Sequence, residues 1–276
     1  MKRMSLIVAA CLLVLAACAE EPKPNAAAGG GSGDTCAEGN LPLYEDGVLT
    51  VATDRPAYEP WFKGSPKDYS GFEGDFAAGV ADRLGVPIKW VVEPFNKSYA
   101  PGSKDYDFDV NQVTITPERS QAVDFSDPYF ENNQGFLVME DSPAASAATV
   151  EDIKGLQLGA QVGTTALAFI NTVLQPDKDP KVFDTTNDAK SALEAGTIDV
   201  FVTDLVTTVY LRDFEIKGSK VLGQYPKPEN FGALFEKGNP LVECVNSAIQ
   251  EMKDDGTLQD LQDEWLKQYL KIPTFQ

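Results

Sequence analysis

Short strand-forming runs alternate with helical periods along most of this chain, and that alternation constrains the fold more than any other feature. Val48–Thr53 and Ile88–Val92 are rich in β-branched residues, which predicts two strands. Between them, apolar residues recur every four positions from Phe76 to Leu84, and Gly85 follows. This spacing predicts a helix that ends at the glycine. Strands that alternate with helices predict an α/β fold with mostly parallel sheets.

The alternation continues to the end of the chain. The remaining predicted elements are strands over 109–116, 156–160 and 198–202 and helices over 166–174, 189–195, 242–252 and 258–269. Thr116 and Pro117 are typical of the start of a helix, directly after the first of these strands. Parallel sheets bind ligands where their strands end, so functional residues are expected there.

The composition excludes several kinds of function. Histidine is absent from the 276 residues, which rules out a histidine general base, a Ser-His-Asp triad and a histidine-ligated metal. The formal net charge of −19 argues against a surface for DNA or RNA. Only the first apolar run resembles a membrane segment, so we do not expect a transmembrane transporter. No metal and no cofactor are expected.

The N-terminal segment has the pattern of an export signal followed by a tether. A basic start precedes a short apolar stretch, and Leu15-Ala-Ala-Cys18 resembles the lipobox of bacterial lipoproteins. We therefore expect a signal peptide over 1–17 and a lipid on Cys18, which would anchor the protein to the cell membrane outside the cytoplasm. A secretory signal with a chance cysteine is the alternative. Residues 18–35 are rich in small residues and predict a flexible tether.

Export also bears on the cysteines of the folded part. Cys36 and Cys244 remain there, and outside the cytoplasm two such residues form a disulfide by default. The bond would tie the start of the folded part to a helix near its end. Two separate buried thiols are the alternative.

Polar residues cluster where the predicted strands end. Arg119 can bind a carboxylate through paired N–H bonds, and Asp204 can accept hydrogen bonds from an ammonium. Tyr58 and Trp61 can enclose an apolar side chain between them. These groups predict a site for a small zwitterion such as a free amino acid. The alternatives are a surface ion pair for the arginine, a helix cap for the aspartate, and core or rim positions for the aromatics.

Six motifs occur in order along the chain. They are Gly47-Val-Leu-Thr-Val-Ala-Thr-Asp54, Gly71-Phe-Glu-Gly-Asp75, Thr114-Ile-Thr-Pro-Glu-Arg119 with Val123-Asp-Phe-Ser-Asp-Pro-Tyr129, Gly159-Ala-Gln-Val-Gly-Thr-Thr165, Val202-Thr-Asp204 and Asp255-Gly-Thr257. Together they resemble the family 3 extracellular solute-binding proteins, which are receptors of polar amino acid ABC importers. The resemblance runs from about residue 45 to residue 268.

The resemblance implies a two-lobed, type II periplasmic-binding-protein-like fold, with two mostly parallel sheets flanked by helices and two hinge strands. Residues 36–133 and 229–276 would form lobe 1, and residues 134–228 would form lobe 2. The chain would cross between the lobes near 131–133 and return near 226–231. The ligand would be enclosed between the lobes.

The resemblance also implies roles for single residues. Arg119 would hold the ligand carboxylate, assisted by Thr114 and the backbone near Gln112. Asp204 would hold the ammonium, with Thr165 beside it. The full set expected to bind the ligand is Asp54, Tyr58, Trp61, Phe95, Gln112, Thr114, Arg119, Thr164, Thr165 and Asp204.

Departures from the family leave the identity of the ligand open. Asp54, Tyr58 and Trp61 would face the ligand side chain, and a basic ligand is one option because of the aspartate. Gln112 stands where the family usually has a small residue. Residues 94–107 replace what is commonly a longer amphipathic helix. The class of ligand is therefore better defined than its identity.

We predict a lipid-anchored, monomeric receptor, not an enzyme, that captures a polar amino acid and delivers it to a membrane permease. An ABC permease and its ATPase subunit would be its partners, because the chain has no P-loop motif of its own. A cyclohexadienyl-type dehydratase on the same fold and a ligand-sensing module are the alternatives.

Overall fold

A computed structural model describes residues 36–37 and 39–275. The predicted signal peptide (1–17), the predicted lipid site Cys18 and the predicted tether (18–35) lie outside these residues. None of the helices in the described part of the chain is both long and apolar enough to cross a membrane. The described strands form two five-stranded sheets.

Strands and helices alternate over most of the described chain. The strands are β1 (Leu49–Thr53), β2 (Ile88–Val92), β3 (Phe108–Asp109), β4 (Val123–Phe125), β5 (Phe130–Met139), β6 (Leu158–Gln161), β7 (Lys181–Phe183), β8 (Val200–Asp204), β9 (Ser219–Phe231) and β10 (Leu234–Glu236). The α-helices are α1 (Phe72–Leu84), α2 (Phe95–Ser98), α3 (Val150–Ile153), α4 (Thr165–Phe169), α5 (Thr186–Glu194), α6 (Leu205–Tyr210), α7 (Leu241–Asp254) and α8 (Thr257–Trp265). Short 3₁₀ helices cover Arg119–Gln121 and Pro143–Ser146, and π-helical turns follow α4 and α6 over Ile170–Leu174 and Leu211–Glu215.

The helix predicted before Gly85 is confirmed, whereas the strand predicted over 109–116 is wrong beyond Asp109. Gly85 closes α1 in the left-handed conformation, with φ of 70°. Gln112 also has a positive φ, 50°, which a strand does not accommodate. Its backbone N–H donates to Glu73 Oε1 at 2.7 Å instead of to a neighbouring strand. The strand therefore ends before the glutamine.

Both sheets are mixed rather than mostly parallel. The strand order is β2-β1-β3-β10-β4 in the first sheet and β7-β6-β8-β5-β9 in the second. The strands that helices connect, β1 to β3 and β6 to β8, pair in parallel. β10 and β5 run antiparallel to both of their neighbours. The parallel prediction fails for these two because they enter their sheets from chain segments that cross between the sheets.

Strands β5 and β9 connect the two apolar cores. They pair from Phe130–Phe231 at one end to Met139–Ser219 at the other, with irregularities between Asn132 and Gln134 and between Phe136 and Leu137. Phe130 and Phe231 are buried in the core of the first sheet, together with side chains of α1, α7 and α8. Further along β5, Phe136 is buried in a core of the second sheet. The two strands therefore pass from one core to the other.

The predicted disulfide is confirmed. Cys36 is bonded to Cys244 of α7, across a sequence separation of 208 residues. Cys244 is buried in the core of the first sheet. On a chain-entropy estimate, closing a loop of this length stabilises the fold by about 5 kcal/mol, and measured values are often lower.

Candidate ligand-binding site

A cavity of about 590 Å³ lies beside the crossing strands and is lined from both sheets. Its lining includes residues at the carboxyl ends of strands, namely Asp54 after β1, Pro94 after β2, Thr164 after β6, Asp184 after β7 and Asp204 at the end of β8. This is where an open α/β sheet places its ligands. The cavity has the size of a small-molecule site.

Arg119 is buried in the wall of this cavity and is held on several sides. Its Nη1 donates to the carbonyl of Thr114 at 2.7 Å, and its Nη2 donates to the carbonyl of Gly163 at 3.0 Å. The rings of Phe95 and Tyr99 lie 5.5 and 4.8 Å from its guanidinium carbon. Burial lowers the pKa of Arg119, but a guanidinium remains charged at neutral pH. It carries more N–H donors than these two bonds use, so donors remain for a carboxylate.

The two sides of the cavity touch at Gly163. This residue has φ of 72°, and a Cβ added to it would lie 1.9 Å from the Tyr99 hydroxyl. Only glycine allows this approach, so the turn before α4 and the segment after α2 depend on the absence of a side chain here.

Asp204 faces the cavity and also caps a helix. It ends β8, and its Oδ1 accepts a hydrogen bond from the backbone N–H of Thr207 at 2.9 Å, which makes it the N-cap of α6. Burial raises the pKa of Asp204 to about 6. The carboxylate is therefore mostly ionised at pH 7. The cap and the cavity-facing position, which the sequence offered as alternatives, occur together.

A carboxylate that sequence reasoning missed lies between the predicted threonines. Glu229 Oε2 accepts hydrogen bonds from Thr165 Oγ1 at 2.6 Å, Thr114 Oγ1 at 3.1 Å and Gln134 Nε2 at 3.1 Å. Thr114 Oγ1 and Thr165 Oγ1 are themselves 3.4 Å apart. Glu229 is part of none of the six motifs; the only signal for its position was the return crossing expected near 226–231, which did not single out this residue.

Thr164 and Asp54 line the cavity, and their side-chain oxygens also accept hydrogen bonds from backbone N–H groups. Thr164 Oγ1 accepts from the backbone N–H of Leu167 at 3.1 Å and so caps α4. Asp54 accepts from the backbone N–H groups of Arg55 at 2.6 Å and of Phe95 at 3.3 Å. Both retain acceptor capacity toward the cavity, because a hydroxyl or carboxylate oxygen can accept more than one hydrogen bond.

Of the three predicted aromatics, Tyr58 and Phe95 line the cavity and Trp61 does not. Burial and nearby carboxylates raise the pKa of Tyr58, so it stays neutral. Trp61 is fully buried in the core of the first sheet, where it makes an edge contact with Phe130. Its Nε1 donates to Thr207 Oγ1 at 3.1 Å. Phe62, the next residue, lines the cavity in its place, alongside the predicted Phe95.

Gln112 lines the cavity, but its backbone and its side-chain amide are both bound to a buried acid. Its backbone N–H and its Nε2 donate to the two carboxylate oxygens of Glu73. The hydroxyl of Tyr129 donates to Glu73 as well, at 2.5 Å. Burial raises the pKa of Glu73 to about 7. This contact fixes the left-handed backbone of Gln112 at the edge of the cavity.

The geometry and the motifs agree with one protein family. Residues 49–268 match the profile of the bacterial extracellular solute-binding proteins, family 3. The chain belongs to this family. The L-cystine-binding protein TcyJ of Escherichia coli (strain K12) is 32% identical over 230 residues, which cover 81% of this chain and 84% of that protein. The glutamine-binding protein GlnH of Bacillus subtilis (strain 168) is 30% identical over 271 residues, which cover 96% of each.

A solved structure shares the fold of this family 3 protein. An ancestral arginine-binding protein bound to arginine is 34% identical, with a TM-score of 0.70 over 80% of this chain and 98% of that one. The predicted type II periplasmic-binding-protein fold is therefore confirmed. The sheets of this member are mixed, as described above.

The charges of this solute-binding protein suit a ligand that carries both signs. Among the described residues, Arg119, Asp204 and Glu229 take part in no ion pair with protein groups. A cation and carboxylates thus line one cavity without neutralising each other directly. In the described part of the chain, no group of three or more His, Cys, Asp or Glu residues could hold a metal ion.

Proposed function

We propose that this protein captures a polar amino acid between two lobes and delivers it to the permease of an ABC importer. The observation that carries this proposal is the pair formed by Arg119 and Asp204, which line one cavity and have no ionic partner among the described residues. The carboxylate of a free amino acid would bind the arginine, and its ammonium would bind the aspartate.

Capture would proceed by closure of the lobes. Residues 36–133 and 229–276 would form one lobe and residues 134–228 the other, with hinges near 131–133 and 226–231. Arg119 lies in the part of the chain assigned to the first lobe, and Asp204 lies in the part assigned to the second. A zwitterion would complete contacts with both only when the lobes meet, so it would shift the population toward the closed form.

The ligand class rests on the relatives and on the lining of the cavity. The relatives named above bind cystine, glutamine and arginine. Here Asp54, Tyr58, Phe62 and Phe95 line the part of the cavity that would face the ligand side chain. This mixture of a carboxylate and aromatic rings supports a polar side chain with an apolar stem, and a basic end group is one option.

Attachment and partners complete the proposal. A lipid on Cys18 and a tether over 18–35 would hold a monomeric receptor at the outer face of the cell membrane. The permease and its ATPase subunit would carry out translocation. A dehydratase on the same fold is not favoured, because the relatives reported above are binding proteins, and we propose that the ligand leaves chemically unchanged.

The test is a thermal-shift screen of the purified protein against the twenty L-amino acids and L-cystine. An amino acid present at about 100 times its Kd should stabilise the fold by about 2.7 kcal/mol. Mass spectrometry of the bound ligand after prolonged incubation should recover it unaltered. If no amino acid shifts the transition and native mass spectrometry finds the cavity empty, the proposal is overturned; an altered ligand mass would indicate an enzyme.

A further inference from the structure

Two cavity residues lie beside Asp204 on neighbouring strands of the second sheet. Strand β5 is flanked by β8 and β9. On one side Gln134 pairs with Asp204, and on the other Asn132 pairs with Glu229. All four residues line the cavity. Gln134 is therefore placed beside Asp204, where the ammonium would bind, and Glu229 lies between Gln134 and Thr114 of the other side.

These two residues present oxygen atoms that lack donors within the protein. The hydrogen bonds to Glu229 all use Oε2, and Oε1 accepts none from the described residues. Gln134 is only 2% exposed, and its Oε1 has no donor in the described part of the chain. A buried amide oxygen without a donor is unfavourable, so such atoms usually mark the place of a ligand or water.

The charge of these groups is also unbalanced. Asp204 and Glu229 contribute two carboxylates to the cavity, and the buried guanidinium of Arg119, which interacts electrostatically with Glu229, contributes one cation. The carboxylate and ammonium of an amino acid cancel each other and leave this excess negative charge in place. If the ammonium contacted a second carboxylate, this excess negative charge would stabilise the bound ligand.

We propose that Glu229 and Gln134 complete, with Asp204, the binding site for the ligand's ammonium. This inference rests on the proposed function. An ammonium has three N–H donors and no acceptor, which matches two carboxylates and one amide oxygen. Ligands whose nitrogen is acylated, or replaced by a neutral group, would leave these acceptors unpaired and are rejected.

The test compares the charge preference of Glu229→Gln with that of the wild type. The probes are the amino acid that binds most tightly in the thermal-shift screen and its 2-hydroxy acid, in which a hydroxyl replaces the ammonium. Titration calorimetry should show the amino acid bound at least tenfold more weakly by the variant, and the hydroxy acid changed less than twofold. Glu140→Gln, which removes an exposed carboxylate just beyond the end of the strand that carries Gln134, is the matched control and should change neither.

Three results would overturn the inference. Equal weakening of both probes would show that Glu229 acts only by joining Thr114 and Thr165. Tighter binding of the amino acid would show that Glu229 competes with the ligand's carboxylate. Unchanged binding would show that it does not contact the ligand. In each case the wild type still binds an amino acid, so the proposed function stands; a wild type that binds none overturns both.

A second variant covers the case in which Glu229→Gln does not fold. Gln134→Met keeps the length of the side chain and removes the amide oxygen. This variant should bind the amino acid at least fivefold more weakly than the wild type does, and its affinity for the hydroxy acid should change less than twofold. Equal effects on both probes would again contradict the inference.

Discussion

The two sides of the cavity hold their charges in different ways. On the first side, Arg119 is fixed by two backbone carbonyls and two aromatic rings, so one cation stands in a rigid frame. On the second side, Asp204 is fixed by a helix N–H at the end of β8, whereas Glu229 lies on the crossing strand β9 and accepts from two threonine hydroxyls. Arg119 and Asp204 thus face the cavity from different sides. Recognition of a zwitterion by these two residues would require both sides at once.

Removal of the cation on the first side should have the largest effect on amino acid binding. Arg119→Ala should weaken amino acid binding by at least 100-fold, or about 3 kcal/mol, because the ligand carboxylate would be buried without its partner. The affinity of Arg119→Lys should lie between those of the wild type and Arg119→Ala, since lysine keeps the charge but loses the paired N–H geometry. Titration calorimetry measures both. Arg212→Ala, which removes a guanidinium paired with Asp213, is the control and should leave affinity unchanged.

The contact between the two sides can be altered without substituting either charged residue. Gly163→Ala should weaken binding about thirtyfold, because its Cβ would collide with the Tyr99 hydroxyl and hold the sides apart. The double variant Gly163→Ala/Tyr99→Phe removes that hydroxyl and should recover most of the loss. Affinity that is equally poor in the double variant would locate the effect in the left-handed backbone of the glycine instead.

The contact of Asp204 with the ligand should depend on pH, whereas that of Arg119 should not, because a guanidinium stays charged. Because the pKa of Asp204 is about 6 and an ammonium needs the ionised carboxylate, affinity should be constant from pH 8 to 7 and fall about tenfold by pH 5. Calorimetry across this range measures the effect. Thermal unfolding without ligand at each pH controls for Glu73, whose pKa is about 7. Constant affinity down to pH 5 would contradict the role of Asp204.

The smallest expected effects are those of substitutions at two adjacent aromatic residues, Trp61 and Phe62. Trp61→Phe should lower stability by about 1 kcal/mol through loss of its hydrogen bond to Thr207, and should change affinity less than twofold. Phe62→Leu should instead weaken binding a few-fold, because Phe62 lines the cavity. Chemical denaturation and calorimetry on both variants test this. The opposite pattern would mean that Trp61 reaches the ligand.

Local sequence patterns predicted most of the helices and strands, and they also predicted the positions of the two opposite charges. Arg119 and Asp204 stand at a helix start and a strand end, which hydrophobic periodicity and capping residues locate within a few positions. The family resemblance then implied what each would bind. Their place in one cavity, with no ionic partner among the described residues, became visible only in the folded chain.

What the sequence could not predict depends on contacts between distant segments. The strand over 109–116 failed because a buried carboxylate, Glu73, draws the backbone of Gln112 out of the sheet. The choice between Trp61 and Phe62 depends on a shift of one residue in a loop, which composition does not determine. Glu229 enters the site only because β9 pairs with β5 along its length.

The disulfide also has a mechanical consequence. A pull on the N-terminal end of the described chain, such as a membrane tether would exert, enters at Cys36 and passes through the disulfide into α7 and the core of the first sheet. That path reaches β5 and β9 only at Phe130 and Phe231, the ends of these strands that lie in this core. Such a pull would therefore load the first sheet, and the parts of β5 and β9 that lie beyond this core would stay outside its direct path.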